Sequence, residues 1–181
     1  MKIEKQPLTV TVNGEKVGPI DVPIGMPMVD FLHHYLNLTG TRRGCGEGVC
    51  HACTIVEIQD DGSKKESRTC IYGAHMFDGR EIVTIEGHAE LDESGEVKAL
   101  SPVQQAFVDN FAFQCSYCTP GFVSGATVFI DALKRNPVKK ENLETAIEDA
   151  LNDHICRCTG YVRYYEAVRE VALNTPGCVI E

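Results

Sequence analysis

The chain has 181 residues, 43% hydrophobic and 24% charged, with a formal net charge of −9. That balance is ordinary for a globular protein, and its acidity argues against a nucleic-acid binder, because phosphate recognition needs clustered Lys and Arg. Residues 1–7, MKIEKQP, lack the apolar segment of a secretory signal, and no run nears the roughly 18 apolar residues of a membrane span; a cytoplasmic chain is expected, with export to the periplasm beside a signal-bearing partner as the alternative.

Leu8 to Val12 alternates in the strand period, and Asn13-Gly14 is a two-residue hairpin signal leading to a return strand over Val17 to Val22. Met28 to Leu38 carries Val29, Leu32 and Leu36 at helical spacing, with Pro27 at its start and Gly40 as its expected stop. A glycine-rich loop, Gly44 to Cys53, precedes a β-branched strand, Thr54 to Ile58. Asp60-Asp61-Gly62 turns the chain, and Ser67 to Tyr72 and Glu81 to Ile85 read as further strands. Hairpin, helix, loop and strands together predict an α+β arrangement.

Leu91 to Ala99 is polar and reads as a linker. Ser101-Pro102 then opens a helix, with Ser as N-cap and Pro in the first turn. Further helices are expected over Gly121 to Arg135, Glu141 to Leu151 and Tyr161 to Leu173. Four helices with short joints predict a small bundle.

Nine cysteines in a chain without a signal point to metal ligands rather than to a disulfide scaffold. Cys45, Cys50, Cys53 and Cys70 are spaced C-x4-C-x2-C-x16-C, the plant-type [2Fe-2S] pattern. Three nearby thiolates can wrap a cluster only if the backbone turns tightly and aims N–H groups inward; Gly44, Gly46 and Gly48 permit that. A zinc site is the weaker alternative, since structural zinc usually takes two short-spaced pairs. Cys115, Cys118, Cys156 and Cys158 are spaced C-x2-C-x37-C-x1-C, each pair at a joint between helices. Helix N-termini there favour thiolates, and on spacing alone zinc stays a rival. Cys178 remains as a free thiol on a tail.

GCGEGVCHACTI from Gly44, QCSYCTPG from Gln114 and CRCTGY from Cys156 resemble the iron–sulfur subunit of the molybdenum hydroxylases, the xanthine oxidase and aldehyde oxidoreductase family, over nearly the whole chain. The resemblance implies a β-grasp ferredoxin-like domain over 1–88, a linker over 89–100, a four-helix domain over 101–175 and a tail over 176–181. It implies a [2Fe-2S] cluster on each cysteine set and an electron route from a large molybdenum–pterin subunit to an FAD or cytochrome subunit. It also implies that Gln114 and the sulfur of Cys158 contact the pterin. Val49, His51 and Ser116 stand where relatives commonly have glycine. His51 as a Rieske-like ligand is disfavoured, because all four cysteines are present. Arg43 and Arg157 flank the sets and are candidates to offset cluster charge; His33 and His34 read as surface or packing residues. With no G-x-G-x-x-G and no acid–base constellation, the chain is expected to lack a substrate site. The rival readings are a free-standing two-cluster ferredoxin and a zinc-stabilised interaction module.

Overall fold

The computed structural model describes residues 3–181. Strands β1 (Lys5–Val12) and β2 (Glu15–Pro23) form the expected antiparallel hairpin around Asn13-Gly14, both in the left-handed region. Leu8, Val10 and Val12 point inward at every second position. Helix α1 (Met28–Leu36) buries Met28, Val29, Phe31 and Leu32. It stops earlier than expected: Asn37 turns left-handed (φ 55°) and its N–H bonds the Leu32 carbonyl, before Gly40 is reached.

Strands β3 (Thr54–Ile58), β4 (Lys64–Arg68) and β5 (Glu81–Val83) complete a five-stranded sheet of order β2-β1-β5-β3-β4. Only β1 and β5 run parallel. The strand expected over Ser67 to Tyr72 is instead Lys64 to Arg68. Thr69 ends it by bonding the Cys53 carbonyl through both its N–H (3.3 Å) and its hydroxyl (2.8 Å), and the chain turns there. Leu8, Val10, Phe31, Leu32, Ile55, Phe77 and Ile82 form one apolar cluster between this sheet and α1.

The expected polar linker carries an exposed two-stranded ribbon, β6 (Glu90–Leu91) with β7 (Val97–Ala99), turned by Asp92, which accepts from Ser94 and Glu96. Helix α2 (Pro102–Asp109) starts as the sequence suggests, with a reciprocal capping box between Ser101 and Gln104, worth about 1 kcal/mol. It ends before Phe111, which is left-handed and exposed. Helices α3 (Thr119–Arg135), α4 (Leu143–Leu151) and α5 (Val162–Asn174) follow. Phe107, Phe122, Ile147, Leu151, Tyr164 and Val168 form a second apolar cluster. Residues 176–181 are more than a tail: β9 (Val179–Ile180) pairs in parallel with β8 (Val138–Lys139), and Cys178 is fully buried, its thiol against the Ile130 carbonyl.

Helix α3 is the joint between the two clusters. It lies on β3 and β4 on one side and on α4 and α5 on the other. The close approach needs glycine: a Cβ at Gly121 would stand 2.3 Å from the His51 carbonyl oxygen. Gly121→Ala is expected to cost at least ~1–3 kcal/mol through overpacking, read as a lowered urea midpoint. An unchanged midpoint would mean that the loop yields freely.

Candidate metal centres

Cys45, Cys50 and Cys53 lie on the loop joining α1 to β3, and Cys70 lies in the turn after β4. The loop folds as the chemistry requires. Gly46 and Gly48 are left-handed (φ 76° and 74°), a region open to glycine at no cost. The turns aim amides at sulfur: Cys45 N–H donates to Cys50 Sγ and Glu47 N–H to Cys45 Sγ, both at 3.3 Å. Arg68 on β4 holds the loop by donating to the Gly48 carbonyl (2.9 Å). Cys53 and Cys70 pack with Val29 in a buried pocket.

The thiols respond to these surroundings. Burial pushes Cys53 up to about 12, against the pull of the Cys70 amide. At Cys45 the upward push of burial is outweighed by the Glu47 and Cys50 amides, which bring the thiol down to about 6. One side of the loop therefore favours thiolate, and the other keeps thiols close together in an apolar wall. A soft, multiply charged centre that accepts thiolates reconciles both. The donor set and the amides fit an iron–sulfur cluster.

The second set has the same construction. Cys115 and Cys118 precede α3; Cys156 and Cys158 precede α5. Cys115 and Cys158 are exposed, with sulfurs 3.5 Å apart, whereas Cys118 and Cys156 are buried. Burial raises Cys118 to about 11, opposed by the Tyr164 hydroxyl (3.4 Å) and helped by neighbouring Cys156. Burial also pushes Cys156 upward, but the Thr159 hydroxyl (3.0 Å) and nearby amides outweigh it and lower that thiol. The Cys115 thiol beside it raises Cys158.

Both sets open on one cleft of about 220 Å³, lined by Cys45, Cys50, Cys115, Cys118, Cys158 and Arg157, among others. Three contacts fix its walls. Ile155 N–H donates to the Cys50 carbonyl (3.1 Å), the Tyr117 hydroxyl donates to the Arg43 carbonyl (2.7 Å), and Gly121 abuts His51. Arg157 thus stands between the sets, while Arg43 pairs with Asp30 (2.9 Å). His33 bonds the Thr41 carbonyl (2.6 Å) and His34 is exposed.

Gln114 is exposed in a shallow hollow with Phe111, Phe113, Thr159 and Val162. His51 and Ser116 are left-handed (φ 55° and 62°), a conformation costing roughly 1–2 kcal/mol in a residue with a Cβ. Val49 is not left-handed. Sequence reasoning missed Glu66 and His154, which meet His51 between the two loops. Glu66 looks like any solvent-facing strand residue, and its partner histidines are distant in sequence, so the chain offers no local signal for them.

The family of [2Fe-2S] binding domains matches residues 84–169, which hold the second cysteine set. The chain is 39% identical over 170 residues to the nicotine 6-hydroxylase small subunit of Paenarthrobacter nicotinovorans, covering 94% of this chain and 89% of that one. It is 34% identical over 167 residues to the nicotinate dehydrogenase small FeS subunit of Eubacterium barkeri, covering 92% and 95%. Its fold matches a chain of quinoline 2-oxidoreductase from Pseudomonas putida 86 with a TM-score of 0.76 at 28% identity, covering 92% of each. By contrast, the chain spans only about 12% of the aldehyde oxidases and xanthine dehydrogenases that it also matches. No helix among the described residues is long and apolar enough to cross a membrane.

Proposed function

On the premise that the chain belongs to the iron–sulfur subunits of the molybdenum hydroxylases, we propose that it is an electron relay carrying two [2Fe-2S] clusters between a molybdenum–pterin subunit and an FAD or cytochrome subunit. The observation that carries this reading is the shared cleft: cysteines of both sets line its walls, with only Arg157, Tyr117 and a few apolar side chains around them. Each cluster, when bound, supplies reversible one-electron chemistry. The chain's part is to hold both centres close, exclude bulk water from their buried sides and set their potentials through N–H groups aimed at sulfur.

Cys45, Cys50, Cys53 and Cys70 would hold the first cluster in a β-grasp ferredoxin-like domain over residues 1–88. After a linker over 89–100, Cys115, Cys118, Cys156 and Cys158 would hold the second in a four-helix domain over 101–175. Gln114 and Cys158 are the pterin contacts in this reading. The exposed Phe111 and Val162 beside Gln114 suit a face that a large subunit covers. Oxidation of the aldehyde, purine or N-heterocycle belongs to that subunit. The complex is placed in the cytoplasm, or in the periplasm if a signal-bearing partner exports it.

Native affinity purification of the full chain, with mass spectrometry of partners, tests the assignment. Recovery of a molybdenum-containing large subunit is expected, and the third subunit identifies the acceptor. Recovery of an iron-loaded chain with no stable partner would favour a free two-cluster ferredoxin and would remove the pterin role from Gln114 and Cys158.

A further inference from the structure

Between the two cysteine loops lies a side-chain cluster that electron relay through the cysteine sites does not use. His51 comes from the first loop, Glu66 from β4, and His154 stands two residues before Cys156. We propose that His51, Glu66 and His154 form a third metal site, separate from both cysteine sets, that takes a divalent cation of zinc type.

Unpaired nitrogens are the first ground. His154 is 1% exposed and neither of its ring nitrogens has a hydrogen-bond partner; His51 Nδ1 is buried and lacks one as well. A buried imidazole nitrogen left unpaired costs on the order of 1–3 kcal/mol, so the two that face Glu66, His154 Nε2 and His51 Nδ1, call for a ligand. Direct bonds to Glu66 do not meet the need. His154 Nε2 is 3.3 Å from Glu66 Oε2 but misaligned for a hydrogen bond, and His51 Nδ1 is 3.6 Å away, too far for one.

The spacing supplies the second ground. Ligands about 2.1 Å from a tetrahedral zinc stand roughly 3.4 Å from one another. The two edges from Glu66 Oε2, 3.3 and 3.6 Å, bracket that value, and all three ligand atoms lie within 4.8 Å of one another. Two imidazoles and one carboxylate form a borderline donor set that suits zinc and leaves a fourth position for water.

Packing that fixes the ligands is the third ground. Helix α3 passes the cluster at Gly125, where a Cβ would lie 2.5 Å from His154 Nε2 and 3.0 Å from Glu66 Oε1. A side chain there would push on the His154 ring and on the Glu66 carboxylate. On the far side of His51, Arg68 stands 3.4 Å from Nε2 and is anchored on the Gly48 carbonyl (2.9 Å). With metal on Nδ1 the His51 proton sits on Nε2, so the Arg68 contact to that nitrogen is given up while its Gly48 bond remains. A cation in this position ties the Cys50–Cys53 segment to the segment before Cys156.

The test uses the full chain with its iron–sulfur centres in place. It is dialysed against zinc, freed of loose metal with a weak chelator, and analysed for iron and zinc and by zinc X-ray absorption. About one zinc per chain is expected, with a nitrogen/oxygen shell near 2.0–2.1 Å, imidazole scattering and no sulfur shell near 2.3 Å. Glu66→Gln, which keeps the shape of the side chain, and Gly125→Ala should each lose that zinc while iron per chain stays unchanged. Absence of zinc from the wild-type protein overturns the proposal. So does a sulfur shell, which would place zinc on cysteines, or retention of zinc by both variants.

Discussion

Replacing Cys118 by serine is expected to abolish one iron–sulfur centre and leave the other. Iron and labile sulfide per chain should fall by about half, and one of the reduced protein's paramagnetic signals should vanish. The reason is chemical: serine offers a hard, protonated oxygen where the site needs a soft thiolate. Position 118 is the sharp choice. It is buried at the start of α3, with the Tyr164 hydroxyl 3.4 Å from its sulfur. The fold should survive, because the packing beneath it is unchanged. The same substitution at Cys53 should remove the other signal, since burial and Cys70 define that corner equally. Loss of both signals from either substitution would mean that the two centres assemble as one unit.

Tyr164→Ala should be the most destabilising single substitution in the helical half. Tyr164 is 1% exposed, stacks on Phe122 with ring centroids 4.2 Å apart, packs on Phe107, and places its hydroxyl 3.0 Å from Thr119. Removing such a ring costs ~3–5 kcal/mol. At roughly 2–4 °C per kcal/mol for a chain of this size, the unfolding temperature should fall by about 6–20 °C. Tyr164→Phe keeps the ring and loses only the hydroxyl contacts, worth ~1 kcal/mol. Scanning calorimetry of the two variants separates packing from hydrogen bonding. A Tyr164→Phe shift as large as that of Tyr164→Ala would mean that the hydroxyl contacts to Cys118 and Thr119 outweigh the ring packing.

Much of this architecture is legible in the sequence because its signals are local. The Asn13-Gly14 hairpin and the Ser101-Pro102 helix start each follow from backbone preferences of the residues themselves. The cysteine spacings are local as well, and so is the need for glycines between them. What escaped depends on partners far along the chain. The strand placed over Ser67 to Tyr72 ends at Arg68 because Thr69 bonds back to Cys53. Val179–Ile180 is a strand only because Val138–Lys139 lies beside it, and that same pairing carries Cys178 into the core. The His51–Glu66–His154 cluster escaped for the same reason. His51 stood out only as an unusual neighbour of cysteines, and its partners come from β4 and from the approach to α5.

Low-temperature EPR of the dithionite-reduced full chain, with iron and sulfide counted on the same sample, decides whether it carries two [2Fe-2S] clusters. Two distinct signals of about one spin each and about four irons per chain are expected. A single signal with about two irons, or a colourless protein whose cysteines hold zinc, would rule out the two-cluster relay.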